Sequence, residues 1–215
     1  MNRIQHIVMA IAALMPLSAC NGIFSDIYDE ADAETTTGGY GFVTAPTQAE
    51  PGKIYVDATS YTQWVYLDFV SMTATTLNVS ENPPESWDIA VHRYDAKTNG
   101  AAVAESGASG FGSFESLINP SEAEFKTDVF TTTQIVTDMS TMMDGYLGYV
   151  ESDYNAELSK WLNVDKSTMP PIYTLSNKVY VVKLKNGRKL ALKLENFMND
   201  TGIKGFLTIK YVYPF

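Results

Sequence analysis

The sequence predicts a mainly β, antiparallel sandwich-like fold with one or two short helices. Three observations carry this. Runs of alternating apolar and polar residues recur along the chain, turn signals separate them, and no long helical periodicity alternates with them. Tyr61 to Val70 is rich in aromatic and β-branched residues and alternates imperfectly. Val129 to Thr137 has a similar composition. In Val179 to Leu194, Leu190, Leu192 and Leu194 alternate with Ala191 and Lys193, and Asn186-Gly187 divides the run. Asn-Gly supplies the positive φ angles of a type I′ turn, so a hairpin is predicted there. Gly205 to Tyr213 gives a last strand, stopped by Pro214. Asn155 to Leu162 is the segment that suggests a short helix, ending near Trp161.

The first residues are read as an export signal rather than as fold. Arg3 precedes an apolar run from Ile7 to Leu14, and Leu17-Ser18-Ala19-Cys20 follows. The run is too short to span a bilayer, and small residues stand before the cysteine. Leu-Ser-Ala-Cys resembles a bacterial lipobox, whose cysteine is acylated and becomes the new N-terminus. Residues 1–19 are thus expected to be a lipoprotein signal peptide and Cys20 the lipidation site. Residues 20–48 are expected to form a flexible acidic tether, because Asp26, Asp29, Glu30, Asp32 and Glu34 crowd a stretch that runs into Thr35-Thr36-Thr37-Gly38-Gly39. Residues 49–215 are then a single β-rich domain.

Charge and cysteine content narrow the function. The chain carries 15 basic and 25 acidic residues and one cysteine. Losing Arg3 with the signal leaves 14 basic residues and a formal charge of −11. Nucleic acid is therefore an unfavourable partner, and attachment to a membrane should rest on the lipid alone. With Cys20 acylated no thiol remains, so stability must come from the core. His6 also leaves, so the mature chain keeps His92 as its single histidine. A phosphate loop, a Gly-x-Ser-x-Gly elbow and a Cys–His cluster are all missing, and no carboxylate pair stands out from solvated surface. The expectation is that the protein is not an enzyme.

Methionine is the unusual feature. Met139, Met142 and Met143 fall within five residues, and Met169 directly precedes Pro170-Pro171. One reading is that they fill gaps in a core, the commonest use of methionine. The other is that they grip an apolar ligand from a loop, since Asp138, Ser140, Thr141, Asp144 and Gly145 make a polar neighbourhood.

Three further segments carry a family resemblance. They are Trp87-Asp88-Ile89-Ala90-Val91-His92-Arg93-Tyr94-Asp95 with Thr98-Asn99-Gly100, then Tyr173-Thr174-Leu175-Ser176-Asn177-Lys178-Val179-Tyr180, then Thr208-Ile209-Lys210-Tyr211-Val212-Tyr213-Pro214. Their order and spacing, with the lipobox before them, resemble the HmuY family of haem-binding lipoproteins of Bacteroidetes. The resemblance implies a β-rich fold holding haem (iron protoporphyrin IX) at one end between mobile loops. It implies a haemophore-like role at the outer-membrane surface, with host haemoproteins as donors and a TonB-dependent receptor as acceptor. Family members ligate iron through two histidines or two methionines. Here Lys166 occupies the second histidine position, and no histidine occurs near Gln134 to Met143, so this chain resembles the methionine type. Met142 and Met169 are the expected axial ligands, with Met143 and Met139 as alternates. Tyr146, Tyr149 and Pro170 are expected to line the pocket. His92 belongs to a motif shared with histidine-ligating members and is read as structural. The competing readings are a glycan- or protein-binding surface lipoprotein that kept the fold without haem, and a hydrolase with a carboxylate pair in a shared cleft.

Overall fold

Strand-forming runs pair antiparallel throughout the computed structural model, which describes residues 39–47, 50–108, 110–111 and 120–214. The expected signal peptide, Cys20 and most of the tether lie outside the described residues. Fifteen strands are present among those residues. They begin with β1 (Gly41–Thr44), β2 (Gly52–Asp57), β3 (Gln63–Asp68), β4 (Thr73–Asn78) and β5 (Ile89–His92). Next come β6 (Asp95–Thr98), β7 (Ala102–Glu105), β8 (Lys126–Thr127), β9 (Val129–Asp138) and β10 (Gly148–Tyr154). The last five are β11 (Leu162–Asp165), β12 (Ile172–Leu175), β13 (Tyr180–Lys183), β14 (Lys189–Met198) and β15 (Lys204–Val212).

Seven strands form one sheet in the order β1-β2-β15-β14-β13-β7-β8, and four form another, β4-β3-β5-β6. Leu190, Leu192 and Leu194 of β14 and Leu207, Ile209 and Tyr211 of β15 enter the same core as Val65, Leu67, Ile89 and Val91 of the smaller sheet. The two sheets therefore face each other as the predicted sandwich. Each buried Leu or Ile there contributes about 1.5–3 kcal/mol.

A third layer explains the imperfect alternation of Tyr61 to Val70. Trp64 and Tyr66 lie on the other face of β3 from Val65 and Leu67, and they pack with Ala90 and with Ile135 of β9. Val150 and Tyr154 of β10 join them, so the β9–β10 hairpin covers the outer face of the smaller sheet. Lys97 is caught in this layer, its Nζ 4.2 Å from the ring centre of Trp64 and 5.2 Å from that of Tyr66. Burial pulls its ammonium down to about 8, while Asp153 and Asp128 act in the other direction.

Three expectations change in detail. Gly41–Thr44 is a strand paired with Gly52–Asp57, so the stretch read as tether contains paired strand, ahead of residue 49. The Asn186-Gly187 hairpin forms, but only Gly187 has a positive φ, +82°. The Leu184 N–H donates to the Arg188 carbonyl and the Gly187 N–H to the Leu184 carbonyl, both at 2.9 Å. That is a three-residue loop with glycine at the bulge, instead of the two-residue type I′ turn. The helix expected over 155–162 is a 3-10 turn, Leu158–Trp161, entered where the Leu158 N–H donates to Asn155 Oδ1 at 2.8 Å. Among the described residues no helix is long and apolar enough to cross a membrane.

Candidate functional site

The floor of the site is the tight turn between β5 and β6, where His92 pairs with Asp95 and Arg93-Tyr94 makes the reversal. Arg93 adopts φ +54°, a conformation costing a non-glycine residue about 1–3 kcal/mol unless its surroundings impose it. Here they do. Its Nη1 donates to the Thr59 carbonyl at 2.5 Å and the Ala58 carbonyl at 3.2 Å, and its guanidinium lies 4.5 Å above the Tyr61 ring. His92 is buried, with Nε2 2.9 Å from the Tyr61 carbonyl, and burial holds its imidazole below the usual range. It is neutral at pH 7 and ties β5 to the loop before β3, in keeping with the structural role expected of it.

The 3-10 turn locks this floor to the next elements. The Trp161 indole donates to the Tyr94 carbonyl at 2.7 Å, and the Ala96 N–H donates to Ser159 Oγ at 2.9 Å. Tyr94 meets Tyr173 of β12 edge to face at 5.7 Å. Burial, with the Tyr173 hydroxyl beside it, pushes the Tyr94 phenol far above its ordinary value.

Two hairpins stand over the floor, and their tips are built alike. At the end of β9, Asp138 Oδ1 accepts the Ser140 N–H at 2.8 Å, and the chain then makes a 3-10 turn over Met142–Asp144. At the end of β11, Asp165 Oδ1 accepts the Ser167 N–H at 2.8 Å, leading to Met169. Such aspartate turns give a short loop backbone partners without a ladder. In both, the bond to serine holds the carboxyl below its ordinary value.

Between the tips and the floor lies a cavity of about 640 Å³. Met139, Met142 and Leu147 line it from the β9–β10 tip, and Lys166, Met169 and Pro171 from the β11–β12 tip. The structure thus brings Met142 and Met169, 27 residues apart in sequence, to one cavity, with Met139 beside them. It does not bring the remaining candidates there. Met143 is 89% exposed and outside the lining, as are Tyr146, Tyr149 and Pro170. The 3-10 turn puts Met142 and Met143 on different sides, and the residue of the Pro170-Pro171 pair that faces inward is Pro171.

Sequence reasoning missed most of the floor. Tyr61, Arg93, Tyr94, Asp95 and Tyr173 all border the cavity. Arg93, Tyr94 and Asp95 come from the left-handed turn between β5 and β6, and no composition signal marks it. Asp95 is the chemically distinctive group. Burial pushes its carboxyl up to about 6, opposed by a hydrogen bond from Gln134 Nε2 at 3.2 Å and by the charge of Lys166.

Comparison with known proteins agrees with this architecture. The family model described as HmuY protein matches residues 60–211. A Bacteroides vulgatus structure, assigned as an HmuY-like haem-binding protein, is 52% identical, with a TM-score of 0.76 and coverage of 82% of this chain and 99% of that one. A Bacteroides fragilis structure, assigned as a lipoprotein, is 42% identical, with a TM-score of 0.78 and coverage of 85% and 99%. The apo HmuY analogue of Tannerella forsythia shares the fold at 22% identity, with a TM-score of 0.63 over 75% of this chain and 94% of that one. Comparison with curated proteins finds no match.

Proposed function

The chain belongs to the HmuY family, and on that premise we propose that it binds haem in the cavity beneath its two hairpin tips. The observation that carries this reading is the convergence of Met142 and Met169 on one cavity from separate hairpins. Met142 is 39% exposed and Met169 79% exposed, so both leave apolar surface in water that a ligand would cover.

The residues present fit the group. A cavity of about 640 Å³ lies within the range of roughly 300–1,000 Å³ usual for ligand sites. Thioethers are soft, neutral donors of the kind that haem iron accepts. Met142 and Met169 would hold the iron, with Met139 as the alternate on the first hairpin, and Tyr94 and Tyr173 would lie against the ring system. Bound there, haem would supply an iron centre whose ferrous state soft neutral donors favour. Neither thioether carries a proton in mild acid, so protonation of the ligands does not compete with binding. Lipidation of Cys20 would hold the protein at the outer-membrane surface. There it would act as a haemophore, taking haem from host haemoproteins and passing it to a TonB-dependent receptor.

Titration of the apoprotein with haemin, followed by absorbance with and without dithionite, tests the reading. Saturable binding that tightens on reduction is expected, weakened in Met142→Ala and in Met169→Ala and unchanged in Met143→Ala. Unchanged titrations for the first two variants would remove the ligand assignment. Absence of any haemin binding, together with binding to a glycan array, would favour the alternative of a glycan-binding lipoprotein.

A further inference from the structure

The cations around the cavity are not equivalent. Arg93 is committed to the carbonyls of Ala58 and Thr59 at 3.2 and 2.5 Å, with its Nη2 3.5 Å from the Lys204 carbonyl. Lys160 is paired with Glu157 at 2.6 Å. Lys204 sits 4.7 Å above the Tyr173 ring. Lys166 is different. It is exposed at the cavity edge, and its ammonium has no hydrogen bond or ion pair among the described residues. What it does have is the field of Asp95, whose carboxylate accepts, among the described residues, only the neutral amide of Gln134. An acid in the cavity wall and an exposed ammonium at its rim form an incomplete pair.

A tetrapyrrole is an apolar disc with carboxylates along one edge. An ionised Asp95 would repel such a ligand, and Lys166 is the uncommitted cation able to meet it. We propose that Lys166 recognises a carboxylate of the ligand, exchanging Asp95 for that group when the ligand enters the cavity. The inference rests on the haem-binding reading and adds to it a determinant of ligand edge chemistry.

The exchange has a proton consequence. Deprived of Lys166 and facing a second carboxylate, Asp95 is left buried with one neutral donor, and it takes up a proton. No other group around it does the same. Tyr94 on its own turn and Tyr154 on β10 are both held above their usual range by burial, and His92 across the turn is held below its range. Lys97, two residues along β6, is under the aromatic rings with Asp128 and Asp153. Ser159 and Gln134 do not titrate, and Lys160 and Arg93 are engaged as described.

The test compares haemin with its dimethyl ester, which keeps the iron and loses both charges. The full chain is titrated between about pH 6 and pH 8, where an exchange that takes up one proton changes affinity by at most about tenfold per unit. The wild-type protein should bind haemin about tenfold more tightly than the ester at pH 7, a size typical of one charge-assisted contact. Lys166→Gln should lose this preference and bind haemin no more tightly than the ester. Binding of haemin should strengthen as pH falls, with measurable proton uptake, while Asp95→Asn should bind tightly at all these pH values without uptake. Titrations of haemin itself are common to both proteins and cancel. A preference for haemin retained in Lys166→Gln, or proton uptake retained in Asp95→Asn, overturns the proposal while leaving haem binding intact. Failure of both haemin and the ester to bind removes the haem reading and this one together. Loss of the iron spectrum in Met142→Ala affects haemin and ester alike and is therefore separable.

Discussion

Replacing Gly205 by alanine should be far more damaging than the same change at Gly187, although both glycines have positive φ. At Gly187, φ is +82° and an added Cβ would meet nothing within 4 Å. Only the backbone cost applies, about 1–2 kcal/mol. At Gly205, φ is +105°, and the Cβ would lie 2.7 Å from Arg93 Nη1, 3.0 Å from Thr59 Cα and 3.1 Å from the Ala58 carbonyl oxygen. Two of these neighbours are backbone, and the Ala58 N–H already donates to the Gly205 carbonyl at 2.8 Å, so the strands cannot simply part. Arg93 must yield instead, losing charge-assisted bonds worth about 1.5–3 kcal/mol. Gly205→Ala is therefore expected to cost about 3–5 kcal/mol, and to lower Tm by about 10 °C for a domain of this size. Urea unfolding of both variants at pH 7 measures the difference directly. If Gly205→Ala falls within about 0.5 kcal/mol of Gly187→Ala, the arginine is not the strut described here.

Asp128 accepts the Thr98 N–H at 2.6 Å, the Thr98 hydroxyl at 2.9 Å and the Asn155 amide at 2.8 Å, joining β6 to the start of β9. Asp128→Ala strands the Thr98 N–H and leaves the other two donors only their longer bonds to the Ala101 and Lys126 carbonyls, and it should cost about 1–3 kcal/mol in a denaturant melt. Asp95 gives a pH signature of its own in the ligand-free protein. Its folded value of about 6 lies above that of an unfolded aspartate, so ionising it opposes folding. That opposition is absent below about pH 4, grows between 4 and 6, and is complete above 6. Asp95→Asn should thus stabilise the fold at pH 7, by on the order of 2 kcal/mol, and leave it unchanged at about pH 3.5. Equal effects at the two pH values would refute the assignment.

Legibility in the sequence followed how many faces of a strand are buried. β14 and β15 put their large apolar residues on one face, so alternation located β15 to within a residue and the start of β14 likewise, although β14 runs on to Met198. β3 is buried on both faces because the β9–β10 hairpin lies over Trp64 and Tyr66, so its period was blurred. β1 was missed because four residues of Gly-Phe-Val-Thr carry too little pattern, and their partner β2 supplies the order. The Asn-Gly signal found a hairpin correctly and its turn type wrongly, since the loop closes on Leu184 and Arg188. In the site, the methionines were legible as an oddity of composition and the family resemblance gave them a purpose. Asp95 and Lys166 were not, because their relation exists only once β6 and the segment after β11 share a cavity.

The two hairpins that cap the cavity form separate two-stranded sheets, with no ladder among the described residues to the seven- or four-stranded sheet. Their strands pack on the sandwich through side chains, while the tips beyond them stand clear of its ladders. Each loop begins with an aspartate turn that fixes its own backbone, so the side chain it displays can be exchanged like a tool in a chuck. A lineage could swap donor atoms or rim charges one tip at a time, and neither change would ask the core to repack.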